Sequence, residues 1–404
     1  SSLVIPDSVT SIGDKAFKNC TSLSSLIIPD SVTCIGDSVF SGCCSLESLV
    51  IPCSVVNLKG NPFCKWYGEL KSLPPYFIYD NKILFDKDKS TIISFRDKDT
   101  TSYVIPDGVT SIGDGAFCDC YSLSSLVIPD SVTRIGDSAF DGCTSLRSLV
   151  IPNGVTIIGD SAFEDCESLT SLVISDSVTS IGDGAFSGHS SLSTLVIPDS
   201  VTRIGNSAFW CNDSLRSLVI PDSVTSIGDD AFCYCSSLCS LVLSHSVTSI
   251  GDRAFSECYS LKSLVLPDGV TSIDDRAFDG WNGELKSLSP YFIYDNHVLF
   301  NNDKSRIISF RDKNATSYVI PDGVTSIGNF AFSDCSSLRS LVLPDSVTSI
   351  GNFAFSDCSS LGSIVIPDSV TSIGLGAFCY CSSLSSVVIP DSVTSIGLGA
   401  FCYC

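Results

Sequence analysis

The sequence predicts a repeat solenoid, with parallel β-strands on an inner face and short β-strands and helical turns on an outer face. Three observations predict it. A segment close to SLVIPDSVTSIGDGAFSGCSSL recurs fifteen times at a 23-residue step. Proline and phenylalanine columns keep that step. Two interruptions of the period are copies of one another. Each unit of such a repeat buries its apolar face only against its neighbours.

The register follows proline from Pro6, Pro29 and Pro52 through Pro106, Pro129 and Pro152 to Pro390, with Ser175 and Ser244 filling two places. Phenylalanine follows eleven residues later, from Phe17 to Phe401. Before each proline, residues such as Leu26 and Ile28 alternate with Ser25 and Ile27, the period of a strand with one buried face. Successive coils then stack these strands in parallel about 4.8 Å apart. Proline closes the strand because it has no N–H to give the ladder. The SVTSIG that follows carries a second inward pair, Val32 and Ile35, and Gly36 is expected to permit a turn. Ala139 and Phe140 exemplify the next core pair, with a short helical turn expected to lead on to the cysteine.

Between Pro52 and Pro106, and again between Pro267 and Pro321, the step is 54 residues, so each interval holds 31 additional residues. Residues 68–96 (GELKSLPPYFIYDNKILFDKDKSTIISFR) match residues 283–311 almost position for position. Their alternating runs around a DKDKS turn predict a hairpin-like excursion. The expected organisation is one continuous solenoid: repeats over 1–63, a variant coil over 64–102, repeats over 103–279, a second variant coil over 280–317 and repeats over 318–404.

The pattern LxxLxIPxxVxxIGxxAFxxC, with the variant YxIPxxV at Tyr103–Val109 and Tyr318–Val324, resembles the BspA-like, or Treponema pallidum-type, leucine-rich repeat. The resemblance covers essentially the whole chain. It implies a leucine-rich repeat solenoid and, for function, a bacterial or protist surface protein that binds host proteins or other cells. A fold hosts many functions, so the site has to be argued from its own residues.

The residue two before each proline is Val or Ile in all fifteen coils, and the residue four before it is Ser except at Thr194. This makes a stripe of Val127, Val150, Val173, Val196, Val219 and Val242 with their counterparts. A long exposed apolar stripe marks a contact surface, although β-branched residues also simply suit a strand. Beside it, Arg147, Arg216, Lys262 and Arg339 stand out in a chain of net charge −21. They could pair with acidic groups of a partner, or be solvated flank charges.

Eleven of the 21 cysteines occupy one column, from Cys20 and Cys43 to Cys404. A run such as Cys120, Cys143 and Cys166, with His189, Asn212 and Trp281 as substitutes, fits buried thiols better than paired ones. Disulfides remain open for the outer CxC cysteines Cys118, Cys233, Cys379 and Cys402. With three histidines and no CxxC pairs, no metal site is expected. The Asp columns after proline (Asp7, Asp30, Asp130) and after glycine (Asp14, Asp37, Asp137) leave calcium as an alternative. Turn residues bonded to their own backbone explain them better, so no cofactor is expected.

A pI near 4.3 and the lack of a basic stripe argue against nucleic acid. No histidine recurs at an offset that would activate a serine, and no phosphate loop or nucleophile elbow is present. No run of 18 apolar residues is found for a transmembrane segment. Three sequons, at Asn19, Asn212 and Asn314, would suit a secreted chain. Ice binding by the VTS rows is opposed by Cys34, Arg134 and Arg203. The first and last coils lack the polar caps that solenoids carry, which predicts a piece of a longer protein with its targeting signals missing.

The expected function is therefore a noncatalytic extracellular or cell-surface adhesion and recognition module that binds a protein partner or cell-surface ligand through the inner strand face. The alternative is a structural protein that self-associates end to end or laterally into a filament or coat.

Overall fold

The computed structural model of the chain describes residues 2–281, 283–286 and 289–404. Ser287 and Leu288, part of the second copied segment, lie outside the described residues. The fold is a β-solenoid of about 17 turns, and it divides into two compact units, residues 1–224 with 234–238 and residues 225–233 with 239–404.

Within the first unit, three-residue strands such as Ser125–Val127 pair in parallel with their counterparts, and Ser148, Leu149, Val150 and Ile151 sit opposite Ser171, Leu172, Val173 and Ile174. A second, two-residue strand per coil forms its own parallel ladder, with Ile112 opposite Ile135 and Ile135 opposite Ile158. Leu149, Ile151, Val155, Ile158, Ala162 and Phe163 are buried, as the alternation requires. The second unit repeats this arrangement, with Ser340–Val342 opposite Ser317–Val319 and Ile350 opposite both Ile327 and Ile373.

Phenylalanine rings stack through each unit. Phe117, Phe140, Phe163 and Phe186 follow one another at centroid spacings of 4.9, 5.0 and 5.5 Å, and Phe332, Phe355, Phe378 and Phe401 at 5.2, 5.1 and 5.2 Å. Burying each such ring is worth about 2–3 kcal/mol.

The outer segment differs from the helical turn expected. From Gly13 to Cys20 the backbone makes consecutive turns, and no helix occurs among the described residues. Ala16, Lys18 and Cys20 donate N–H bonds three residues back, whereas Lys15, Phe17 and Asn19 donate to Asp37, Val39 and Ser41 of the next coil. An α-helix sends its N–H groups four residues back and so leaves none for a neighbour. The alternation needs left-handed backbone at two places per coil, seen at Lys15 (φ 58°) and Asn19 (φ 61°).

Two further expectations are corrected. Gly36 does not have a positive φ; glycine is needed in this column for close approach. A Cβ on Gly159 would stand 2.5 Å from Asp137 Oδ1 and 2.7 Å from its backbone nitrogen. The Asp residues after these glycines bond not to their own backbone but to the following coil. Asp14 Oδ1 accepts the N–H of Asp37 at 2.9 Å, Asp137 Oδ1 that of Asp160 at 3.0 Å, and Asp160 Oδ1 that of Asp183 at 2.8 Å.

Each insertion is one expanded coil. Leu70 takes the rung opposite Leu49, and Leu285 that opposite Leu264. The chain then forms three antiparallel strands rather than a hairpin, Phe77–Asp80, Ile83–Asp86 and Thr91–Phe95. Their first turn is Asn81–Lys82, both at positive φ, and DKDKS forms the second. The last strand rejoins the short ladder with Ile92 opposite Ile112 and, in the copy, Ile307 opposite Ile327. Arg96 and Arg311 are buried against Trp66 and Trp281, 4.6 and 4.2 Å from the ring centroids. Their Nη2 atoms donate to the carbonyls of Gly68 and of Trp281. Burial lowers both pKa values, that of Arg311 to about 10.

Candidate functional site

The strand alternation that buries Leu149 and Ile151 turns Val150 to solvent. All fifteen members of this column, including Val127, Val150, Val173, Val196, Val219 and Val242, are exposed, between 50% for Val342 and 78% for Val196. Serines such as Ser125, Ser148 and Ser171 are exposed beside them. Each unit therefore carries a regular file of β-branched side chains at strand spacing, flanked by small hydroxyls.

Arg147, Arg216, Lys262 and Arg339 are exposed on one flank of this file. Among the described residues Arg147, Lys262 and Arg339 enter no ion pair. The opposite flank holds the exposed carboxylates of Asp130, Asp176, Asp199 and Asp222. In the first unit Val127, Val150 and Val173 line a groove of about 550 Å³ whose edge is formed by Asp130, Asn153 and Asp176. Sequence reasoning missed this groove.

On the outer side, cysteines one residue after the phenylalanine pair between neighbouring coils. Cys64 bonds Cys118 across the first insertion and Cys379 bonds Cys402, with Cα separations of 6.1 and 4.7 Å. Cys118, Cys233 and Cys379 are buried although they lie in the outer turns. Cys64, Cys118 and Asp119 bring their ligating atoms within 4.8 Å of one another, but the sulfurs are joined and Lys65 Nζ lies 2.7 Å from Asp119 Oδ2. Burial, then the nearby Glu164, Asp119 and Asp165, lift the Asp141 carboxyl to about 6 against the opposing pull of Lys65.

The cysteine column three after the phenylalanine has a function that sequence reasoning did not give it. Cys143 Sγ donates to the Phe117 carbonyl at 3.3 Å and Cys358 Sγ to that of Phe332 at 3.2 Å. Asn212 Nδ2 replaces this donor at 2.8 Å from the Phe186 carbonyl. Since Asn212 is fully buried, its sequon is closed, whereas Asn19 and Asn314 are exposed.

The BspA type leucine rich repeat region matches the chain in 6 copies, over residues 1–73, 92–212, 203–289 and 306–404. The chain belongs to this family. As a BspA-type leucine-rich repeat protein it is similar to a leucine rich cell surface protein from Faecalibacterium prausnitzii, with a TM-score of 0.59 and 29% identity over 82% of this chain and 93% of that one. A leucine-rich repeat protein from Bacteroides ovatus matches at 26% identity and a TM-score of 0.41, over 98% of this chain and 83% of that one. The T. pallidum leucine rich repeat protein is 34% identical over 47% of this chain and 91% of its own, with a TM-score of 0.40. No curated protein matches the chain. No helix among the described residues is long and apolar enough to cross a membrane.

Proposed function

We propose that this BspA-type repeat protein is a noncatalytic adhesion or recognition module, secreted or held at a cell surface, that binds an extended segment of a protein partner along its Ser and Val file. The observation that carries the reading is the exposure of all fifteen β-branched residues of this column, since exposed apolar surface of this kind marks interaction sites. Basic side chains on one flank and carboxylates on the other supply a charge pattern for register. The likeness to a bacterial cell-surface protein and two disulfides, which persist in oxidising compartments, support the localisation.

The test uses beads coated with the full chain, scored for attachment to immobilised surface and matrix proteins, against a Val127→Glu, Val150→Glu, Val173→Glu variant. Attachment lost in the variant, with an unchanged circular dichroism spectrum, is the expected result. Equal attachment by both proteins sinks the reading. Light scattering on the wild type decides against a structural protein: monodisperse particles support recognition, whereas regular filaments that the triple variant fails to form make assembly the function.

A further inference from the structure

In an ordinary coil the Pro-Asp-Ser turn is covered by the same turn of the coil before it. Ser131 Oγ, for example, donates to the Val109 carbonyl at 2.8 Å and Ser177 Oγ to that of Val155 at 2.7 Å. The expanded coils turn at Pro74 and Ser289, whose carbonyls accept from Phe77 and Phe292 at 3.2 Å, but the next coil carries Gly108 or Gly323 in the serine's place and no side-chain bond ties its turn back, which leaves an uncovered flank. Pro106 and Pro321 are accordingly exposed, whereas Pro152, Pro198, Pro221 and Pro267 are buried.

In the first unit the uncovered flank and the three-stranded insertion enclose a cavity of about 330 Å³. Ile83, Phe85, Tyr103 and Val109 provide apolar lining, and Asp80 and Asp107 stand among the polar groups at its edge. Asp80 is already engaged, 2.7 Å from Lys89 Nζ. Asp107 is exposed and enters no ion pair or side-chain hydrogen bond among the described residues. The next residue, Gly108, has a φ of 99° with open space where a Cβ would stand, so the turn leaves the mouth clear.

The second insertion reproduces these parts. Val298, Phe300, Tyr318 and Val324 replace the four apolar residues, and Asp322 and Gly323 (φ 93°) replace Asp107 and Gly108. Lys304 lies 2.7 Å from Asp295 and 5.7 Å from the Phe300 ring centroid, as Lys89 lies 2.7 Å from Asp80 and 5.7 Å from that of Phe85. Tyr318 packs on Phe310 at 4.7 Å as Tyr103 packs on Phe95 at 4.9 Å.

We infer that each insertion forms a pocket for a bulky apolar side chain of a partner polypeptide, and that the unpaired carboxylate of Asp107, or of Asp322, receives a Lys or Arg next to that side chain. The volume is that of a small-ligand site with few polar groups at its edge, and one carboxylate without a counterion selects a cationic neighbour. The inference does not rest on the Ser and Val file, and it stands if that file binds nothing.

The test titrates the full chain with the capped dipeptide acetyl-Phe-Arg-amide, followed by saturation-transfer NMR, with acetyl-Phe-Glu-amide as the comparison. Binding to two sites per chain, weakened about tenfold in the Asp107→Asn, Asp322→Asn variant as one charge-assisted contact is lost, is the expected result. Both aspartates are exposed, so the variant keeps the fold. A second variant, Ile83→Trp, fills the first pocket and should lower the stoichiometry to one. Absence of binding at millimolar peptide, equal binding of the two dipeptides, or indifference to the double substitution overturns the inference.

Discussion

His189 places its Nε2 atom 2.8 Å from the carbonyl oxygen of Phe163, in the place where the coils on the N-terminal side use a cysteine thiol. The ring is fully buried, and burial pushes its pKa down to about 4 despite the opposing hydrogen bond. Neutral imidazole is therefore the folded form, and Nε2–H is the donor.

This linkage has a sign. An unfolded histidine titrates near 6.5, so its contribution is fully present above that pH and falls as pH drops from about 6.5 to 4, by up to about 3 kcal/mol. His189→Cys restores the column donor and should flatten that part of the stability curve. Urea unfolding of both proteins at pH 7.5 and 4.5 measures the difference. A parallel pH response in the two would refute it.

The aspartate ladder predicts a contrast between two substitutions at one site. Asp160→Asn should be nearly neutral, because Asn329 and Asn352 already accept the next coil's N–H at 2.8 Å. Asp160→Ala leaves the Asp183 N–H without its acceptor and should cost about 1–2 kcal/mol. Equal denaturation midpoints for the two variants would contradict the ladder.

Asp141 should be a stabilising target. Its carboxyl, raised to about 6 chiefly by burial, opposes folding once it is ionised in the native state, so its cost appears as pH rises from about 4 to 6. Since the group is partly exposed, Asp141→Asn should gain on the order of 1 kcal/mol at pH 7.5 and nothing at pH 3.5. Thermal denaturation at the two values tests this.

Thiol counting tests the disulfide pattern. Alkylation of the denatured, nonreduced chain should label 17 cysteines and leave Cys64, Cys118, Cys379 and Cys402 unlabelled. Reducing the Cys64–Cys118 link opens a separation of 54 residues and should remove about 4 kcal/mol on the chain-entropy account. Peptide mapping that joins Cys233 to another residue would contradict the assignment.

Much of the fold was legible because burial repeats with the sequence. Leu149, Val155, Ile158 and Phe163 declare themselves by position, and Val150 is exposed by the same alternation. The outer turns were not legible, because Lys15, Ser138 and Phe353 adopt left-handed backbone without being residue types that signal it. What holds them is an N–H bond to a coil 22 residues away in sequence, as Lys15 makes to Asp37. The partner of the Asp column was hidden for the same reason, since Asp14 looks like any turn residue until Asp37 is stacked on it. The cavity beside the first insertion is lined by two stretches, 80–89 and 103–109, whose approach the 54-residue step records only as extra length.

Most of the side-chain bonds that repeat from coil to coil run one way. Ser131, Thr133, Cys143 and the N–H of Asp137 each donate to the coil before them, so every regular coil offers acceptors to its successor and donors to its predecessor in identical positions. A duplicated coil inserted at any junction finds both sets already matched, and no compensating substitution is required on either side. Lengthening by gene duplication is thus close to neutral for stability, and identical stretches such as 367–381 and 390–404 are tolerated as they arise. Divergence is then free to collect where no neighbouring coil depends on it, on the flanks of the exposed strand face.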